Sequence, residues 1–426
     1  MLDAIRFQPE GDLLAELFER YGLEEILSHY ETSGGPRSIH DYILGTHLRL
    51  TKVLSPRLWS LFDEVRSLIG FDDEVELFVS GNSDINAYAM NSPDPERPHI
   101  IALTSGAVER MSDDELSFVI GHEFGHLHYS HYRANLITKA LEDERGESTM
   151  PALLARRMSS WDRLAELSAD RAGFLASKNK LETAVSVFFK LTAGLGPDHL
   201  RFDIEAFLGQ LNELQDMKRS DLLAWFSHPV TPVRVRALQL FSEAGGASLP
   251  SEERPELDAQ VSDLAKLMDL EVTKPSQLHA RNFLLSGGLL AALADGTEMT
   301  GDQHALLVDA MLPVCSDPEL ELSNIESGEQ ARAMLEEACD WLREHSGEER
   351  YQLFELLAHL VAIDGELHEK ERGFLLEVAG LLRVPEKSAT DTMYEVLQSY
   401  LQQRAARARP SFAGLLTTLP GTRPTP

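Results

Sequence analysis

The residues best placed to do chemistry are two histidines and a glutamate. His122, Glu123 and His126 form an H-E-x-x-H inside residues 112–131, SDDELSFVIGHEFGHLHYSH. Helical residues four apart share a face, so His122 and His126 can present two neutral imidazoles to one metal ion, with Glu123 beside them. Two imidazoles fill two corners of a zinc tetrahedron, and a third protein ligand and a water complete it. Zinc lowers the pKa of that water, and Glu123 can take its proton and later pass it to a leaving amine. Residues 157–178, RMSSWDRLAELSADRAGFLASK, hold the natural third ligand, Glu166. Asp170, four residues on, shares its face and can accept a hydrogen bond from the free ring nitrogen of a ligand histidine. Ala165, Leu167, Ala169, Ala172 and Gly173 surround this acidic pair, which suits close packing better than open solvent.

The elements that must hold these groups can be read from pattern. Ser112 with Glu115 is a capping box, so a helix is predicted to start just before Asp113. Leu116, Phe118, Val119, Ile120, Phe124 and Leu127 make that helix largely buried. Residues 157–178 read as a second helix. From Glu74 the texture changes, and EVELFVS, DINAYAM and HIIALTS read as three short strands. An edge strand beside a metal helix can pair with an extended peptide backbone. Residues 85–90 are the candidate, with Asn86, Ala87, Tyr88 and Ala89 along the cleft. His128 and His131 are not four residues from His126, and read as polar positions near the helix end. Further on, WFSHPVTP interrupts a helical pattern before Arg234. Beside a zinc site, His228 in that break can donate to a tetrahedral oxyanion; plain helix capping is the equal alternative.

Size and composition set bounds. The chain has 426 residues, enough for two or three domains with real cores. Two cysteines, Cys315 and Cys339, give no disulfide framework, so a reducing, cytoplasmic setting is expected and a metal site must use His and carboxylates. A formal net charge of −30 argues against a broad phosphate-binding surface, hence no nucleic acid partner. The acidic N-terminus lacks a signal pattern. No run approaches the roughly 18 apolar residues of a membrane span, so no integral membrane segment is expected.

Taken together, the motifs resemble the HtpX and CAAX prenyl-protease (Ste-type) family of zinc metallopeptidases, within the gluzincins. The matching pieces, in order, are Asn86-Ala87-Tyr88-Ala89, Leu103-Thr104-Ser105-Gly106, Asp114-Glu115-Leu116, His122 to His126, Glu166 with Ala169-Asp170, and His228-Pro229 with Arg234. The resemblance implies an α+β fold: a mainly helical, zincin-like domain with a small β-sheet, over residues 71–248. It implies one Zn2+ per chain on His122, His126 and Glu166, Glu123 as general base, and endopeptidase activity on peptide or protein substrates. It also places His228 in a loop by the active site and Arg234 against the substrate or the zinc-site carboxylates; either residue is a candidate oxyanion donor. Many members of the family are membrane proteins, whereas the stretch between these two zinc motifs is polar and amphipathic.

Residues 1–70 read as helices packing on that domain. Residues 257–404 are helical, with a weak repeat in which Asp295-Gly296 and Asp364-Gly365 each join two helices. The second unit resembles the all-helical TerB-like domains of tellurite-resistance systems. Residues 405–426 read as a disordered tail. A rival reading makes the chain a latent zincin-fold interaction protein that recruits a partner, or restrains itself, through its C-terminal helices. The intact Glu123 argues against decay of the site.

Overall fold

The computed structural model describes residues 2–407 apart from 33–36, 93–96, 143–149, 151, 197, 202, 217–227, 270–273, 295–298, 313 and 364–365. Both Asp-Gly turns and the residues after 407 therefore lie outside the described residues. The chain forms two compact units, Met1–Asp269 and Leu270–Pro426. The division falls after Asp269 and not near 257, because Leu257, Val261 and Ala265 are buried in the core of the first unit.

The first unit is mainly helical with one small mixed sheet. In chain order it holds α1 (Gln8–Tyr21), α2 (Leu23–Thr32), α3 (Arg37–Thr46), β1 (Leu48–Arg49), α4 (Pro56–Ile69), β2 (Val75–Ser80), β3 (Ala87–Met90) and β4 (His99–Thr104). There follow α5 (Ser105–Arg110), α6 (Asp113–His128), α7 (Tyr132–Ala140), α8 (Ala152–Ala176), α9 (Leu181–Ala193), α10 (Ile204–Asp216), α11 (Thr231–Glu243) and α12 (Arg254–Ala265). The three expected strands are present, joined by the two-residue β1. Strand order is β1-β2-β4-β3, with β2 and β4 parallel and both outer pairs antiparallel. Ile100, Ile101, Ala102 and Leu103 bury β4 in the middle. β3 lies at the end of the sheet, paired with β4 from Ala87 opposite Leu103 to Met90 opposite Ile100.

Glycine and alanine set the distance between α6 and α8. A Cβ at Gly121 would stand 2.2 Å from the Ala176 Cβ, and one at Gly125 would stand 2.9 Å from the Ala172 Cβ. From the other side, a Cβ at Gly173 would meet the Phe118 carbonyl oxygen at 2.7 Å. Real carbon atoms do not approach so closely, so the two backbones touch because these positions carry almost no side chain. On its opposite face α6 packs Phe124 against Phe62 and Phe71, with ring centroids 5.3 Å apart in each case.

The start of α6 is pinned as well as capped. Ser112 N–H donates to Glu115 Oε2 at 2.7 Å, and Ser112 Oγ accepts from the Glu115 N–H. The same Glu115 carboxylate accepts from Lys190 Nζ at 2.7 Å and from the Ser186 hydroxyl, both on α9.

The second unit is all helical: α13 (Pro275–Leu293), α14 (Gly301–Met311), α15 (Pro318–Ser323), α16 (Gly328–His345), α17 (Glu349–Val361), α18 (Glu369–Leu381) and α19 (Glu386–Arg407). Phe283, Leu335, Phe354, Leu357 and Leu375 centre its core. Cys315 and Cys339 are buried free thiols, pushed up by burial to about 11 and about 12. Among the described residues, no helix is long and apolar enough to cross a membrane.

Burial opposes ionisation of Glu115, but Lys190, Ser186 and Ser112 outweigh it and hold its pKa below the usual 4.5. Its contribution to stability is therefore present above pH 4.5 and is lost as pH falls through the lower folded value. Glu115→Gln should cost about 3 kcal/mol at neutral pH, because it strips a buried ammonium of its partner. Urea unfolding should show the gap from wild type closing below pH 4.5. A gap that stays constant down to acid would show that the carboxylate's charge is not what matters.

Candidate active site

α6 and α8 cross so that His122, His126 and Glu166 face one another. The two Nε2 atoms are 3.0 Å apart, His122 Nε2 lies 3.5 Å from Glu166 Oε2, and His126 Nε2 lies 3.4 Å from Glu166 Oε1. One ligand atom from each of the three residues falls within a 4.8 Å cluster.

Their outer nitrogens decide what the inner ones can do. His122 Nδ1 lies 3.0 Å from Asp170 Oδ1, and an ionised carboxylate can only accept, so the His122 proton belongs on Nδ1. Arg234 holds Asp170 in that state, through Nε at 2.8 Å and Nη2 at 2.6 Å. Burial works against the charge on Asp170, but Arg234 and His122 keep its pKa below the ordinary value. His126 Nδ1 lies 2.9 Å from His131 Nδ1. On its far side, His131 Nε2 is 3.5 Å from Glu10 Oε1. Burial pushes His131 down to about 4, so its ring is neutral at physiological pH, and Glu10 calls the single proton to Nε2. Of the two facing Nδ1 atoms of His126 and His131, one donates to the other.

Both inner Nε2 atoms face the Glu166 carboxylate; burial opposes a charge on His126, but Glu166 outweighs it and raises the His126 pKa. Burial disfavours the charge on Glu166, yet Arg234 and His126 hold it well below the usual range. The cluster attracts positive charge, whether a proton on His126 or a metal ion among the three residues. The residues thus fit a divalent metal by their donor set, two imidazoles and a carboxylate.

Glu123 stands beside this cluster, and burial pushes its pKa up. A cleft of about 470 Å³ opens in front. It is lined by His122, Glu123, His126, Glu166, His228 and Arg234, and along one wall by Asn86, Ala87, Tyr88 and Ala89 of the edge strand and its approach. The structure thus gathers every residue singled out from the sequence except Asp170, which sits behind His122. Arg234 does more than Asp170 requires: its Nη1 lies 3.1 Å from Glu166 Oε2. With Nε, Nη1 and Nη2 all turned to carboxylates, Arg234 acts as a clamp on the α8 acids and leaves the oxyanion to another donor. His228 is exposed at the cleft mouth, with Nε2 3.5 Å from Glu166 Oε1.

The expectation for His131 is overturned. It is buried in the site, because α6 ends at His128 and Ser130 takes a left-handed conformation (φ 57°) that folds the chain back beneath His126. His128 does stay at the surface, 2.8 Å from Asp3. The sequence also concealed Glu10. It is completely buried and accepts from Arg6 Nε at 2.7 Å, Trp161 Nε1 at 3.0 Å and the Ser168 hydroxyl at 3.2 Å. Burial opposes its charge, but His131 and Arg6 outweigh it and lower its pKa to about 2. One signal for it exists: Phe7, Glu10, Leu14 and Leu17 fall on one helical stripe, so this glutamate lies on an apolar face.

Two helices thus bring two imidazoles and a carboxylate together beneath the edge strand of a small sheet, a donor set that fits a metal, and comparison gives the family of the segment that carries it. Residues 54–241 match Peptidase family M48, and the segment carrying the site belongs to that family. Residues 317–393 match Tellurite resistance protein TerB, so the second unit carries a TerB domain. The plastoglobule-localized metallopeptidase 48, chloroplastic, of Arabidopsis thaliana is 28% identical over 221 residues, 47% of this chain and 61% of that protein. A protease HtpX homolog of Levilactobacillus brevis is 32% identical over 117 residues, 27% of this chain and 36% of that protein. The chain spans less than two thirds of the length of these curated relatives. No solved structure matches it.

His131→Ala or Glu10→Gln should weaken metal binding about 10- to 100-fold, the usual cost of losing a group that orients a ligand. Competition with a chromophoric chelator measures this. His128→Ala, at the surface, should leave the affinity unchanged. Wild-type affinity in His131→Ala would show that the buried chain behind His126 carries no weight.

Proposed function

We propose that the protein is a zinc-dependent metalloendopeptidase. The observation that carries this reading is the convergence of His122 Nε2, His126 Nε2 and the Glu166 carboxylate on a cleft walled by the edge strand β3. The M48 membership of the segment and the names of both relatives support it.

Zinc at this site would be held by His122, His126 and Glu166, and would supply Lewis acidity to the scissile carbonyl and the attacking water. This chain's own groups do the rest. β3 lends its free edge to an extended substrate, pairing backbone to backbone along residues 87–90. Ala87 and Ala89 pack toward the main core while Tyr88 and Met90 pack on the opposite side, so the strand is braced from both faces. Asn91 Nδ2 donates to the Leu127 carbonyl at 3.0 Å and ties the end of β3 to α6. Glu123 takes the proton of the attacking water and delivers it to the leaving amine. His228, exposed at the mouth, donates to the oxyanion that forms on the carbonyl. Arg234 and Asp170 keep Glu166 and His122 oriented throughout. A reducing cytoplasm suits the two buried thiols of the second unit.

Glu123→Gln keeps the ligand set and removes the base. It should bind zinc stoichiometrically and lose kcat/KM on an unfolded protein substrate such as casein by about a thousandfold. Hydrolysis by the zinc-loaded variant at the wild-type rate would refute the mechanism. Chelation should abolish wild-type cleavage, and zinc should restore it.

A further inference from the structure

Three acids stand one turn apart on a single stripe of α8: Asp162, Glu166 and Asp170. The structure accounts for two of them. Asp170 is bound by Arg234 and backs His122, and Glu166 faces the two imidazoles and Arg234. Asp162 is different. Among the described residues it has no hydrogen-bond or ion-pair partner, although it is only partly accessible and the cationic residues nearest in sequence are engaged elsewhere. The neighbouring Arg163 donates from Nη2 to Asp269 at 2.7 Å and to the Ser160 hydroxyl at 3.1 Å.

Asp162 instead lines a cavity of about 160 Å³, with Trp161, Ala165 and Asn135. The remaining walls are His126, His131, Glu166 and His228, and each of these also lines the main cleft. The cavity is therefore a side chamber of the active site, reached past the metal ligands. Its volume equals that of about five molecules of liquid water, enough for the head of one long side chain. Burial, then the charge of Glu166, push the Asp162 pKa up to about 7. Such a group is relieved by a positive partner, and among the described residues none forms a hydrogen bond or ion pair with it.

We propose that the chamber is a specificity pocket for a cationic group of the substrate, an ammonium or guanidinium held by the Asp162 carboxylate against the Trp161 side. The proposal rests on the peptidase reading for its use of the word substrate. Because the chamber shares His126 and Glu166 with the metal site, the cation must belong to a residue adjoining the scissile bond. Two sources have this chemistry: a Lys or Arg side chain flanking the bond, or the free α-amino group of a substrate cleaved next to its N-terminus. Aromatic contact from Trp161 would add to the attraction for either.

Binding can be measured without turnover, which separates failure of this proposal from failure of the peptidase reading. Full-length zinc-loaded protein is titrated calorimetrically with three small amides: N-acetyl-lysinamide, with only a side-chain cation; norleucinamide, with only an α-ammonium; and N-acetyl-norleucinamide, with neither. At least one charged amide should bind about tenfold or more tighter than the neutral one, the least that a charged hydrogen bond is worth. Which one does so identifies the source. Asp162→Asn should erase the preference while leaving zinc content and affinity for the neutral amide unchanged, and Asp162→Glu should retain it. Asp162→Asn removes an unmatched buried charge, so its melting temperature should not fall; if it does, the Asp162→Glu comparison and suppression of the preference by salt decide the matter. Equal binding of all three amides by wild type, or a preference that survives Asp162→Asn, would overturn the proposal. Selective binding without cleavage of any peptide would uphold the pocket and refute the peptidase.

Discussion

The site depends on how closely α6 and α8 approach. Gly121 and Gly125 on one helix meet Ala172, Gly173 and Ala176 on the other, with no space for a further carbon at the two α6 glycines. Only this separation lets side chains as short as Glu166 and Asp170 reach the two rings of α6, one in front and one behind. Gly125 also lies inside the H-E-x-x-H itself. The motif therefore specifies its own docking surface as well as its ligands, and the geometry of the cluster follows from backbone contact rather than from flexible side chains. Packing of this kind has little tolerance, since interiors are filled to crystal-like density.

Around that contact the protein balances charge in layers. The imidazoles of His122 and His126 are each held from behind, one by Asp170 and one by His131. Each of those has its own support, Arg234 for Asp170 and Glu10 for His131. Glu10 in turn is secured by Arg6, Trp161 and Ser168. The N-terminal segment is thereby part of the site although it precedes the M48 match. Its peptide carbonyls at Ile5 and Arg6 also accept from Arg171 of α8, which pairs with Asp258 of α12. Burial of these charges is tolerated because each has a partner, and against that background the unmatched Asp162 on the same α8 stripe is informative.

Much of this was legible in the sequence, and the reasons are local. A capping box, an i,i+4 pair of histidines and an i,i+4 pair of acids are short-range patterns, so α6, α8 and the faces that meet could be read from spacing. The alternating strands and the helical class of the second unit followed from periodicity in the same way. What escaped was set by turns and long-range packing. His131 looked peripheral because helical spacing was extended past His128, whereas the left-handed turn at Ser130 returns it to the site. Glu10 is more than a hundred residues from the ring it steadies, and only the folded unit joins them. Arg234 could be placed near the zinc-site carboxylates, but its full commitment to Asp170 and Glu166 required coordinates. Asp162 belongs to the same acidic stripe as the other two, and its isolation is visible only as a missing partner.

The most direct test of the central claim is a crystal structure of the full chain loaded with zinc, with anomalous data collected on both sides of the zinc edge. One peak per chain should appear among His122 Nε2, His126 Nε2 and the Glu166 carboxylate, with Asp170 and His131 still behind the two rings. A stoichiometric zinc bound elsewhere, with Glu166 turned away from the imidazoles, would contradict the account.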